Sequence, residues 1–174
     1  MSHYNTGRPD SSEHAPYYGR YIQLVPETDI VLAMAMQIEN TLGYLRALPG
    51  SAGNKRYAPD KWTINQVIGH MSDTERVFAS RALFFARNAP GALPSMEQDD
   101  WMNAATFGIQ KLEDIITEFE LVRRSNLYFF QALSEAAWSR RGVASTFEFT
   151  VRSLAFIIVG HERHHLEILK TRYA

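Results

Sequence analysis

Four stretches of the chain repeat apolar residues at the three- and four-residue spacing of a helix with one buried face. Residues 27–48 carry Ile30, Met34, Ile38, Thr41, Leu42 and Leu45 on one side and stop at Pro49-Gly50. Residues 63–87 open with Thr63, which can cap a helix, and Gln66, which can answer it three residues later in a capping box. Residues 111–133 carry Leu112, Ile115, Ile116, Phe119, Leu127 and Phe130, and residues 150–172 carry Leu154, Ile157, Ile158, Ile168 and Leu169. Four amphipathic helices predict an all-α four-helix bundle. Residues 88–110, with Pro90, Gly91, Pro94 and Gly108, form a long crossover between the second and third helices, long enough to serve as a lid. Strand-like alternation is confined to residues 145–151. Residues 1–20 are rich in Ser, His, Pro, Tyr and Gly without any period, which predicts a flexible tail with His3 and His14 outside the chemistry. The bundle is then residues 21–174.

Composition narrows what such a bundle can do. At 174 residues, 45% hydrophobic and 12% aromatic, the chain can bury one sizeable core. A net charge of −1 lacks the basic footprint of a nucleic-acid or anionic-membrane binder. No apolar run is long enough to span a bilayer, and residues 1–10 have no apolar signal region, so the expected compartment is the cytoplasm. Cysteine is absent, which excludes disulfides and a thiolate nucleophile from the protein itself. Any thiol chemistry requires an external thiol.

The candidate chemistry lies in Gly160-His161-Glu162-Arg163-His164-His165-Leu166, which holds three of the six histidines. His161 and His165, four apart, lie about 40° apart around a helix and roughly 6 Å apart along it, so both can reach one metal ion. His165 falls inside the apolar stripe, His164 at its edge, and Glu162, about 100° round from His161, is expected to face outward or to border the stripe. A third ligand from another helix is needed, and His70, on the face of Val67, Thr74 and Val77, supplies it. Asp73 could accept the other ring N–H of His70 and fix its tautomer. Three histidines without a fourth protein ligand leave a coordination position open for water or substrate. An isolated histidine on an apolar face is more often a hydrogen-bonded core residue, and the four-residue pair lowers those odds.

Arg123 shares a face with Phe119 and lies near Asn126, while Arg81 shares the face of His70 about 16 Å further along the helix. A guanidinium in an apolar stripe needs a carboxylate partner or an anionic ligand. Arg123, Asn126 and Arg81 are therefore candidates for substrate binding, against the alternative of structural ion pairs with Asp73, Glu75 or Glu120. Trp62, Trp101 and Trp138 read as packing residues, with Trp101 also placed to line a pocket mouth. Phe84-Phe85 and Tyr128-Phe129-Phe130 read as core or a self-association surface.

The run Trp62-Thr63-Ile64-Asn65-Gln66-Val67-Ile68-Gly69-His70-Met71-Ser72-Asp73-Thr74-Glu75, followed by Arg81-Ala82-Leu83 and by Gly160-His161-Glu162-Arg163-His164-His165, resembles the DinB superfamily of bacterial metal-binding bundles over about residues 21–173. That resemblance implies a four-helix bundle with a long crossover, a three-histidine divalent site at His70, His161 and His165, and a homodimer. Nickel, zinc, iron or manganese would be the single bound ion. Relatives of this kind include S-transferases and isomerases that use low-molecular-weight thiols, and others described as metal-dependent hydrolases. The implied partners are thus a small thiol and a small-molecule substrate. The competing expectation is a non-enzymatic metal-binding or interaction homodimer.

Overall fold

The computed structural model describes residues 6–173. Its helices are α1 (Gly19–Ile22), α2 (Ile30–Arg46), α3 (Ile64–Ala86), α4 (Gln98–Ala104), α5 (Leu112–Gln131), α6 (Glu135–Trp138) and α7 (Val151–Arg172). The four long ones form a closed ring in which α3 packs on α5 and α7, and α2 packs on those same two helices from the other side. Between them lies the core expected from the apolar stripes, including Ile38, Leu42, Leu45, Ile115, Phe119, Phe130, Leu154, Ile157 and Leu169.

Local chemistry sets the helix starts. Thr63 accepts from the Gln66 amide while the Gln66 side chain accepts from the Thr63 amide, completing the capping box expected at that position. Thr150 and Ser153 do the same for α7. The first long helix begins at Ile30, three residues later than expected, because Asp29 takes the cap by accepting from the Leu32 amide.

The strand-like stretch is one arm of a hairpin, with β1 (Arg141–Ala144) antiparallel to β2 (Phe147–Thr150). Its turn residues Ser145 and Thr146 have φ of 51° and 70°. Leu93 of the crossover bonds to the hairpin through Val143 and Ser145. The crossover also contains α4 and a 3₁₀ turn at Phe107–Ile109, and its far end is fixed by the buried Asn65 amide, which donates to the carbonyls of Phe107 and Gln110.

Residues 10–20 differ from the flexible tail expected for them. Asp10 and Glu13 close a capping box, and Glu13 is buried where its carboxylate accepts from Thr150 at 2.8 Å and from Arg152 Nε at 2.6 Å. This segment is anchored by polar contacts and by scattered apolar ones, Ala15 in the core and Tyr18 against Phe78 and Phe149, so it leaves no period in the sequence. His14 is half-buried in it, its Nδ1 2.9 Å from the Ala15 carbonyl, and His3 lies outside the described residues. No helix among the described residues is long and apolar enough to cross a membrane.

Candidate metal centre

The sequence pairs a glycine with each of two histidines, Gly69-His70 and Gly160-His161, and in both cases another segment lies where a Cβ would be. A Cβ on Gly69 would sit 2.6 Å from the Phe107 ring, and one on Gly160 would collide with the Tyr21 carbonyl. Close approach at these two points lets the crossover lie against α3 and α1 against α7 beside the histidines. The α1 segment brings Tyr21 with it, its ring centroid 5.3 Å from that of His161 and 5.5 Å from that of His164. On the other side, the Trp62 ring packs at 4.9 Å against His70.

Within this enclosure three imidazoles converge. His70 Nε2 lies 3.1 Å from His161 Nε2, and His165 Nε2 lies 3.0 Å from the same atom. One ligand atom from each of His70, His161 and His165 falls within 4.8 Å of the others. Nitrogens held 2.0 to 2.1 Å from one tetrahedral ion would be about 3.3 Å apart, close to the spacing of the two pairs that meet at His161 Nε2. The rings cannot satisfy one another by hydrogen bonding. A neutral imidazole has one lone pair and one N–H, and two Nε2 atoms approach the same His161 nitrogen. His165 Nδ1 is also buried without a partner among the described residues. Burial lowers the pKa of His70 to about 4 against weak opposition from Asp99. Burial also holds His161 and His165 well below the ordinary value, assisted for His161 by its neighbours His165 and His70 and for His165 by His70 and His164. All three are therefore neutral at pH 7, the form that binds metals. The donor set fits a divalent ion.

The other expected residues fall in different places. Asp73 does not support His70: its carboxylate accepts from Arg76 at 3.4 Å, and Arg76 pairs with Glu118 of α5 at 2.7 Å. Three residues past His70 it has rotated to the edge of α3 that faces α5. His164 is half-buried at the side of the cluster, against Tyr21.

Arg123, fully buried, grips Glu75 through two bonds of 2.8 and 2.9 Å and meets Glu162 at 2.7 Å, a charge contact outside hydrogen-bond alignment. Asn126 donates to the same Glu75 carboxylate at 3.1 Å, and Thr41 donates to Glu162 at 2.5 Å. Burial pulls the Arg123 pKa down, but Glu162 and Glu75 outweigh it and the net shift is upward. Arg123 and Asn126 are thus engaged in the structural pairing that the sequence left as an alternative to substrate binding. Glu162, expected at the outer edge of α7, is buried because α2 and α5 supply Thr41 and Arg123 on that side.

Arg81 is elsewhere. It lines a cavity of about 230 Å³ together with His70, His161, Tyr18, Thr74 and Glu97. A second cavity, of about 220 Å³, opens beside His165 between Trp62 and Tyr173. Sequence reasoning overlooked Tyr18, Tyr21 and Thr74 as parts of the site and assigned Trp62 to packing alone. Thr74 could have been found, since it lies one turn beyond His70 on the same face. The tyrosines carried no periodic signal.

A four-helix ring that bears a β-hairpin and gathers a histidine trio between two of its helices is a bundle with a candidate metal centre, and the chain's family follows from its sequence. The chain belongs to the DinB superfamily, whose sequence profile matches residues 33–169. No curated protein matches the chain in sequence. Among solved structures it is similar to YfiT from Bacillus subtilis, described as "a probable metal-dependent hydrolase with an unusual four-helix bundle topology". The superposition has a TM-score of 0.65 and covers 93% of this chain and 91% of YfiT at 14% identity, a likeness of fold.

Proposed function

We propose that this protein is a cytoplasmic metal-dependent enzyme that holds one divalent ion through Nε2 of His70, His161 and His165 and activates a small nucleophile, water or a low-molecular-weight thiol, for attack on a small substrate. The observation that carries the proposal is the convergence of three neutral, buried imidazole nitrogens that cannot satisfy one another, beside a cavity. Imidazole-only donors suit zinc, nickel or iron better than manganese. A bound ion of this kind lowers the pKa of a coordinated nucleophile and so supplies it at neutral pH. The chain's own residues do the rest. Tyr21 and Trp62 flank the imidazoles, limiting solvent and holding the rings in place. Access is from the cavity bounded by Met96, Glu97 and Gln98 of the crossover. The description of YfiT as a probable hydrolase supports water as one nucleophile; the absence of cysteine is compatible with a borrowed thiol.

Elemental analysis of untagged protein tests the first half, with about one ion per chain expected and loss of that ion in His70→Ala, His161→Ala and His165→Ala. Cobalt-loaded protein tests the second half. A new charge-transfer band on adding a small thiol indicates an open position for that nucleophile. Ester or amide turnover that needs the ion but no thiol indicates hydrolysis. If the ion binds and neither response occurs, its role is structural, joining α3 to α7. The proposal includes a homodimer, for which exposed Leu121 and Tyr128, seven residues apart on α5, offer an apolar face. Solution scattering should then give about twice the 19.9 kDa chain mass.

A further inference from the structure

The cavity beside the histidines contains polar groups that neither the core nor the histidine trio uses. On α3, His70, Thr74, Phe78 and Arg81 occupy successive turns of one face, since four, eight and eleven residues advance a helix by about 40°, 80° and 20°. All four line the cavity. Helical side chains lean toward the N-terminus, so Arg81 reaches back toward His70, and its guanidinium carbon lies 5.3 Å from the centre of the Phe78 ring. Arg81 is 3% exposed. Its Nη2 donates to the Pro94 carbonyl at 2.6 Å and to the Ser145 hydroxyl at 3.1 Å. Both acceptors are neutral, and no carboxylate lies within ion-pair distance among the described residues. The buried Arg123, by contrast, faces two. Thr74 is 4% exposed, and its hydroxyl has no hydrogen-bond partner among the described residues. A buried cation without a counter-ion and a buried hydroxyl without a partner are each unfavourable, and native interiors keep them where something else completes them.

We propose that Arg81 and Thr74 form a subsite for the carboxylate of a small substrate whose reacting end lies at His70 and His161. This rests on the reading of the histidine trio as a metal-dependent catalytic centre. The guanidinium offers the planar fork that pairs with a carboxylate, and Thr74, between the histidine and the arginine, offers one hydroxyl to a polar atom in the middle of the molecule. Glu97 also lines the cavity, but it is exposed and accepts from Ser95 at 2.8 Å, so its charge is solvated. The cavity, about 230 Å³ and open to solvent on one side, has room for roughly seven or eight water volumes, enough for a short-chain acid.

The test is ligand-observed NMR on the full chain, with butyrate as the probe and butyramide as its neutral counterpart, in metal-free and in zinc-loaded protein. Butyrate should bind the metal-free protein and butyramide should bind far more weakly. Arg81→Met should weaken butyrate about 10- to 100-fold, the loss expected for a charge-assisted pair, with Arg81→Lys intermediate. Thr74→Val should weaken binding several-fold while raising the melting temperature of the unliganded protein, because an unpartnered buried hydroxyl is removed. A purely structural role for Thr74 would not give that opposition, and this variant keeps the test decisive if Arg81→Met folds poorly. Absence of butyrate binding, equal binding of butyramide, or unchanged affinity in both Arg81→Met and Thr74→Val would overturn the subsite. If butyrate binding needs Arg81 but no ion is found at the histidines, the metal reading fails and the subsite stands. If the ion is found and butyrate ignores both variants, the subsite alone fails.

Discussion

Helix α7 carries two buried polar clusters on adjoining residues, and they meet the problem of burial in opposite ways. Glu162 is tied into a set whose charges face opposite ones: Arg123 meets two carboxylates, Thr41 donates to the Glu162 oxygen that the guanidinium leaves over, and Asn126 adds a donor to the Glu75 oxygen that Arg123 Nε already holds. His161, one residue earlier, belongs to a set that is incomplete, with three Nε2 atoms competing for one another and His165 Nδ1 unpartnered. The first cluster joins α2, α3, α5 and α7, and each of its charges already faces an opposite one. The second joins α3 to α7 and needs a ligand. Burial and polarity alone do not distinguish a structural cluster from a functional one; what each buried group faces does, opposite charges in the first and like imidazoles in the second.

The comparison breaks most visibly at Arg123. Arg123→Met strands two buried carboxylates and should destabilise the fold by about 3 to 5 kcal/mol. For a chain of this length that lowers the melting temperature by roughly 6 to 20 °C, read by thermal circular dichroism. Changing all three members together, Glu75→Leu with Arg123→Met and Glu162→Leu, should recover most of the loss, because apolar groups of similar size replace a buried ion set at little net cost. A shift of only a degree or two in Arg123→Met would mean that the ion set is not what holds the four helices.

At the histidines the expected stability change comes from outside the chain. An ion that binds the folded protein alone adds RT ln(1 + [L]/Kd), about 4 kcal/mol at a thousandfold excess over Kd. Chelation should therefore lower the melting temperature of the wild type. His161→Ala should be insensitive to chelation. Retention of the chelation effect in His161→Ala would place the ion elsewhere.

The same contrast governs pH. Unfolded histidines titrate near 6.5 and His70 in the fold near 4, so the unfolded chain binds more protons between those values. The stability is complete above about pH 6.5 and is lost as pH falls toward 4, by about 3 kcal/mol for His70 alone in metal-free protein. Free imidazoles would begin to compete with the ion for protons near 6.5, and burial shifts that competition lower at all three histidines, so metal content should persist through pH 6. Denaturant titrations of metal-free protein at pH 7, 5.5 and 4.5 measure the slope, and a flat profile would show that the imidazoles are not held neutral by burial.

Much of this arrangement is legible in the sequence because it depends on helical periodicity. The stripes locate the four long helices, Thr63 and Gln66 locate a helix start, and the angles of His70, His161 and His165 bring them to one side. What escapes is set by neighbours. Glu162 looks external when α7 is considered as a helix with one buried face, yet α2 and α5 close over it with Thr41 and Arg123 while the docked N-terminal segment covers α7 at Gly160, so residues 153–162 are all buried. Arg123 is recognisable as needing a counter-charge, but the choice between an ion pair and an anionic ligand depends on Glu75 and Glu162 arriving from two other helices. Arg81 poses the same question in sequence and receives the other answer, because the crossover and the hairpin offer it only the neutral oxygens of Pro94 and Ser145.

The smallest expected effect is at His164, and it tests the angular argument directly. His164 lies three residues after His161, close enough in sequence to substitute for His165, but its ring leans on Tyr21 at the side of the cluster and is half-buried. His164→Ala should keep about one ion per chain and change the stability by about 1 kcal/mol or less, the range for a partly exposed side chain that fills no cap or cavity. His165→Ala, measured alongside by elemental analysis after dialysis, should lose the ion. Tyr21 gives the argument a second handle: removing the His164 ring uncovers the tyrosine edge without touching the Nε2 trio, so a solvent-accessibility change at Tyr21 with unchanged metal content is the expected pair of results. The reverse order, with metal lost in His164→Ala and kept in His165→Ala, would mean that α7 is rotated in solution by about the 100° that separates the two residues, and with it the proposed ligand set would fall.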